Sequence, residues 1–134
     1  MSEAGKELLL QLEVLECRLS VCKFPEMPAG LPGDGFCSVT RTSDELSVVC
    51  ETARVPAGAL AREDGWRALK VLGPLDFALV GVLARISSAL AEAQVPLFAI
   101  STYDTDYILV KEDTLQMAAD ALRSEGCAVL FALH

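Results

Sequence analysis

Between Trp66 and Leu133 the apolar residues switch between strand-like and helix-like spacing in one order: strand, helix, strand, strand, helix, strand. Trp66 to Leu72 alternates loosely and is closed by Gly73-Pro74. Residues 79–93 then place Val82, Ile86, Ala89, Leu90 and Ala93 on one helical face, with Arg85, Ser88 and Glu92 opposite. Pro96 opens a strand, Leu97 to Ser101, and a turn at Thr102 to Thr105 returns the chain along Tyr107 to Val110. Asp113 has the character of an N-cap, with Gln116 three residues on, and Leu115, Ala118, Ala119 and Leu122 form the next buried stripe. Gly126 suits the residue just past that helix, and Cys127 to Leu133 is a last apolar strand. This β-α-β-β-α-β order is the ferredoxin-like split βαβ unit.

The first half reads as a pared-down copy. Glu16 to Val21 alternates polar and apolar, out of phase with Leu10, Leu12 and Val14, which predicts a bulge near Leu15 or burial on both sides. The segment Phe24 to Gly35 holds too many prolines and glycines to supply the first helix. Phe36 to Thr42 and Leu46 to Glu51 predict a hairpin around Ser43-Asp44-Glu45, and Pro56 to Arg62 a short helix. The count comes to about seven strands where two complete units need about eight, so a long or exchanged first strand is expected. The predicted fold is therefore α+β, with two ferredoxin-like (βαββαβ) units, residues 1–62 degenerate and residues 63–134 complete. In such a unit the second and fourth strands, here Leu97 to Ser101 and Cys127 to Leu133, lie at the sheet edges without a blunting Lys or Pro. Bare apolar edges predict sheets joined side by side, within the chain or between two chains of a homodimer, with a crevice at the seam.

Composition narrows the function. A formal net charge of −8 argues against nucleic acid and against an anionic membrane as partners. No apolar run approaches the roughly 18 residues that would span a bilayer. The first residues lack a basic n-region, and the five cysteines have no C-x-x-C spacing. These features predict a cytoplasmic chain with reduced thiols serving as core fillers. With His134 as its one histidine, the chain offers no Ser/His/Asp set and no zinc ligand cluster; no metal or cofactor is expected. Gly30, Gly33 and Gly35 do not form a phosphate loop.

Two places carry chemistry. Leu79-Val80-Gly81-Val82-Leu83 opens the first helix of the second half. The N–H groups there have no helical partner, and their partial positive charge suits a carboxylate. Gly81 lets a ligand approach the backbone. Facing it in this reading is Ser101-Thr102-Tyr103-Asp104-Thr105-Asp106, where Asp106 or Asp104 would hold an ammonium group and Ser101 and Thr102 would add neutral hydrogen bonds. The plain alternative is that Gly81 serves packing, Asp76 caps the helix, and the two hairpin carboxylates face water. A catalytic pair at Asp104 and Asp106 is the third reading.

The runs Leu79 to Ala84, Val95 to Tyr103 and Thr105 to Val110 resemble the ACT domain, in particular small bacterial stand-alone tandem ACT proteins. Phe36 to Thr42 and Asp44 to Cys50 resemble the degenerate leading unit of that group. The resemblance implies a non-catalytic sensor whose modules pair side by side and bind an amino acid or similar small metabolite between one module's strand–helix loop and its neighbour's edge. Carried over by residue, it implies binding by Asp76, Leu79, Val80, Gly81, Val82, Ser101, Thr102 and Asp106. It further implies a regulated enzyme as partner. The rival expectation is a structural module that pairs through its sheet edges and holds no ligand.

Overall fold

The computed structural model describes residues 10–72 and 81–132. They form a mixed α+β protein of eight strands and two helices, in two compact units: residues 17–66, and residues 67–132 together with 10–16. The strand Ala61–Val71 (β5) contributes its first half to one unit and its second half to the other, and it runs through the point between residues 62 and 63 where the sequence reading divides the chain.

In the larger unit, β5 pairs with β1 (Gln11–Val14) antiparallel, Leu12 opposite Val71 and Val14 opposite Leu69. The other side of β1 pairs in parallel with β8 (Ala128–Phe131), Leu12 opposite Val129. Beyond β5 lies β7 (Asp106–Lys111), and beyond that β6 (Phe98–Ser101), giving the order β6-β7-β5-β1-β8. The inserted β1 supplies the additional strand that the count of about seven lacked. Among the described residues β6 pairs only with β7 and β8 only with β1, so each keeps one flank without a ladder.

Helices α1 (Val82–Glu92) and α2 (Leu115–Ser124) bury the stripes their spacing predicts: Val82, Ile86, Ala89 and Leu90 from the first, Leu115, Ala118, Ala119 and Leu122 from the second. These meet Leu12, Val71, Ile108, Val110 and Val129 of the sheet in one core. Each fully buried Leu or Ile contributes about 1.5–3 kcal/mol relative to exposure. Both helices close in the same way. Gly126, in left-handed conformation (φ 92°), donates to Arg123 O (3.0 Å), and Cys127 donates to Leu122 O (3.0 Å). Gln94 (φ 62°) and Val95 repeat this at Ala91 O and Leu90 O (2.9 Å each). These are Schellman motifs, and the second uses a residue with a Cβ.

Asp113 does not cap α2. It sits in a 3₁₀ turn, Glu112–Thr114, and the Leu115 N–H is satisfied by Glu112 O, so the turn replaces a side-chain cap. Gln116 does not close a capping box either; its Nε2 donates to Asp120 Oδ1 (3.0 Å).

In the smaller unit the order is β3-β4-β2-β5, with β2 at Leu19–Phe24, β3 at Cys37–Arg41 and β4 at Leu46–Glu51. The strand expected at Glu16 to Val21 starts later, at Leu19, and a register shift lies between Leu19 and Val21. That shift and the break after Val14 account for the change of phase. Cys22, Phe24, Leu46, Val48 and Cys50 form the core face, covered by Leu31, Val55 and Ala59 rather than by a helix. Pro56 to Arg62 is not helical: a 3₁₀ turn precedes it at Thr52–Arg54, Gly58 takes φ 101°, and β5 begins at Ala61. Ser20, fully buried, donates to Asp64 Oδ1 (2.6 Å) and lies 2.8 Å from Thr52 Oγ1, tying that turn to the sheet. Of the cysteines expected as core fillers, Cys22, Cys50 and Cys127 are buried, Cys17 is half-buried and Cys37 is exposed.

Candidate functional site

The polar hairpin between β6 and β7 is built by its own side chains. Ser101 and Asp106 are cross-strand partners, and Ser101 Oγ donates to Asp106 Oδ1 across 2.5 Å. Opposed residues in a sheet share a face, so the pair is one acidic, hydroxyl-bearing spot at the strand end. Thr102 closes the turn. Its N–H donates to Thr105 O (2.8 Å), and its hydroxyl both donates to Thr105 O and accepts from the Thr105 N–H (3.2 Å each). Tyr103, at the tip, is 84% exposed.

Thr105 is the residue the sequence reading passed over. It is buried, and its hydroxyl donates to the Val71 carbonyl at 2.5 Å. A threonine in a run of turn-forming residues carries no signal of such a bond, because its partner is distant in the chain. The bond fixes the turn against the end of β5.

Gly81 sits at the start of α1 in left-handed conformation (φ 87°, ψ 5°), exposed, with no side-chain cap. Its carbonyl accepts the Arg85 N–H (2.8 Å), the first bond of the helix. The N–H groups ahead of Arg85 have no partner within the helix, as at any helix N-terminus. A Cβ built at Gly81 would meet no atom within 4 Å, so the glycine answers a backbone conformation and an open approach rather than tight packing. The side chain of Val82 lies in the core, leaving only its backbone to face a ligand.

Of the expected site residues, Ser101, Thr102 and Asp106 are brought together in one hairpin. Gly81 and Val82 are at the helix start, and among the described residues no hydrogen bond joins them to that hairpin. Asp76, Leu79 and Val80 lie outside the described residues. Among the described residues no group of His, Cys, Asp and Glu could hold a metal ion, and no helix is long and apolar enough to cross a membrane.

Comparison with known proteins gives the same frame. A family model described as the ACT domain matches residues 61–124, from the first residue of β5 to the last of α2, and a second model, described as an N-terminal domain, matches residues 17–58. The cytosolic arginine sensor for mTORC1 subunit 1 of Rattus norvegicus is 39% identical over 66 residues, covering 47% of this chain and 20% of the sensor. The chain thus spans about a fifth of the length of the curated relatives it matches. A crystal structure of an Agrobacterium tumefaciens protein superposes with a TM-score of 0.86 at 32% identity, over 95% of this chain and 96% of that one. Aspartate kinase of Clostridium acetobutylicum shares the fold, with a TM-score of 0.65 at 11% identity over 86% of this chain and 34% of the kinase.

Proposed function

Because the chain belongs to the ACT-domain family, we propose that it is a non-catalytic regulatory sensor that binds a free amino acid or a closely similar metabolite. The observation that carries this reading is that each chain bears two ends of complementary charge, which two copies can present to one another. The start of α1, open at Gly81, presents N–H groups for a carboxylate, and the Ser101–Asp106 pair presents a negative spot for an ammonium group. An α-amino acid carries both charges on groups attached to one carbon. The resemblance to an arginine sensor and to the fold of an allosteric aspartate kinase supports a small-molecule regulatory role.

In this reading Asp76, Leu79, Val80, Gly81 and Val82 form the carboxylate bank, chiefly through backbone. Ser101, Thr102 and Asp106 form the opposite bank, contributed by a second copy of the chain in a homodimer. The unladdered flanks of β6 and β8 support such pairing. Two ACT-type units per chain, the first pared down, complete the proposed architecture. The ligand would draw the two copies together and shift the activity of a regulated enzyme.

A thermal-shift panel of the twenty amino acids tests the proposal. A ligand at a hundred times its dissociation constant adds about 2.7 kcal/mol to the stability of the folded state. No shift with any amino acid overturns it. The rival, an edge-pairing module without a ligand, is favoured by Leu130 and Phe131, exposed on β8. It predicts concentration-dependent self-association that no amino acid alters.

A further inference from the structure

Cys37 on β3 and Cys50 on β4 stand directly opposite each other in the ladder. The phase of the ladder sets their separation. At the turn the Thr42 N–H donates to Glu45 O (2.9 Å), which makes Thr42 and Glu45 a hydrogen-bonded pair. Bonded and non-bonded pairs alternate along antiparallel strands, and Cys37–Cys50 lies an odd number of steps away, with Arg41–Leu46 and Val39–Val48 on the same phase. It is therefore a non-hydrogen-bonded pair, in which Cα atoms are about 4.5 Å apart and the side chains share a face. That separation falls within the roughly 4.4–6.8 Å that a disulfide spans.

Access is asymmetric. Both residues are free thiols; Cys37 is exposed and Cys50 is fully buried. Cys22 lies on the same face but opposite Val48, diagonal to Cys50. Diagonal neighbours have Cα atoms about 7–8 Å apart, past the reach of an undistorted bridge. The geometry singles out one pair among the three thiols carried by β2, β3 and β4.

We propose that Cys37 and Cys50 are a thiol-oxidation site, closing to a reversible cross-strand disulfide with a low-molecular-weight disulfide such as glutathione disulfide as oxidant. The Cys37 thiolate attacks one sulfur of the oxidant, forming a mixed disulfide and releasing one glutathione as its thiolate. Cys50 then gives its proton to solvent, its sulfur bonds to Cys37 Sγ, and the second glutathione leaves. The two protein thiols lose two electrons and two protons, and one glutathione disulfide becomes two glutathiones. Burial pushes the Cys50 thiol up to about 11, which fits its entering second, once the mixed disulfide has placed an electrophilic sulfur beside it. The product pins β3, a strand that among the described residues pairs only with β4, at the end far from its turn.

The test is incubation of the full chain with glutathione disulfide, alkylation of the remaining thiols, digestion without reductant and mass spectrometry. The expected product is a peptide pair joined through Cys37 and Cys50, two hydrogens lighter than its parts and lost on treatment with dithiothreitol. Cys50→Ser should stop at glutathionylated Cys37, and Cys37→Ser should abolish both species. Persistent Cys37–glutathione in the wild-type chain without a cross-link overturns the proposal, as does a bridge to Cys22 or between two chains. The wild-type peptide map decides this even if Cys50→Ser, at a buried site, fails to fold; an unchanged far-UV spectrum after oxidation confirms that the bridge forms in the folded chain.

Discussion

The hydroxyl of Thr105 donates to the carbonyl of Val71 at 2.5 Å, joining the tip of the β6–β7 hairpin to the end of β5. The hairpin that this bond anchors carries the Ser101–Asp106 pair. Replacing Thr105 by Val keeps the shape and removes the donor. The expected cost is about 0.5–1.5 kcal/mol in urea unfolding. Thr105→Ser should recover most of it, and Thr105→Val should also weaken any amino-acid thermal shift.

Asp106→Asn separates binding from folding. Asparagine still accepts the Ser101 hydroxyl, and the position is only half-buried, so unfolding stability should change by less than about 1 kcal/mol. The loss of a charge-assisted bond to an ammonium group, about 1.5–3 kcal/mol, should weaken amino-acid affinity by about 10- to 100-fold in calorimetry. Unchanged affinity would remove Asp106 from the site.

Gln94 holds a left-handed conformation that Gly126 fills at the equivalent place after α2. A side chain there costs roughly 1–2 kcal/mol, partly offset by the greater freedom glycine has in the unfolded chain. Gln94→Gly should therefore raise stability by about 0.5–1 kcal/mol, while Gly126→Ala should lower it. Chemical denaturation of the two variants side by side checks both signs.

Three buried thiols give the fold an alkaline limit. Burial raises Cys22, Cys50 and Cys127 above the ordinary thiol value, Cys50 from 9.0 to about 11. Above pH 9 the unfolded chain gives up the Cys50 proton while the folded chain keeps it, so stability falls as pH rises. The contribution is fully present below pH 9 and is lost as pH rises through about 11, a change of about 2–3 kcal/mol for Cys50. Denaturant unfolding under reducing conditions between pH 8 and 11 should show this slope, and Cys50→Ala should flatten it.

How much of this was legible follows from where each signal resides. The stripes of α1 and α2 and the apolar strand Ile108 to Val110 were readable because each buries one continuous face against the same core. Gly126 was readable because left-handed closure has a residue preference; Gln94 was not, because it breaks that preference. The first half of β5 was missed because Arg62, Glu63 and Asp64 are all exposed, so the strand has no apolar alternation there. Pro56 to Arg62 instead looked helical because Pro56 suits a first helical turn, which Gly58 overrides. At the site, the polarity of Ser101, Thr102 and Asp106 was visible, yet the work of Thr102 in closing its own turn and the bond from Thr105 to Val71 depend on tertiary placement.

The position of β1 between β5 and β8 has a consequence for biosynthesis. Leu12 leaves the ribosome long before Val129, its neighbour in the parallel ladder, exists. The larger unit cannot seal its hydrophobic interior until β8 has been made, and loop closure over such a span is entropically slow. A nascent chain stalled after α2 would hold every residue of the ACT match and still lack its final strand, leaving Leu12 and its neighbours open to chaperones or to the wrong partner.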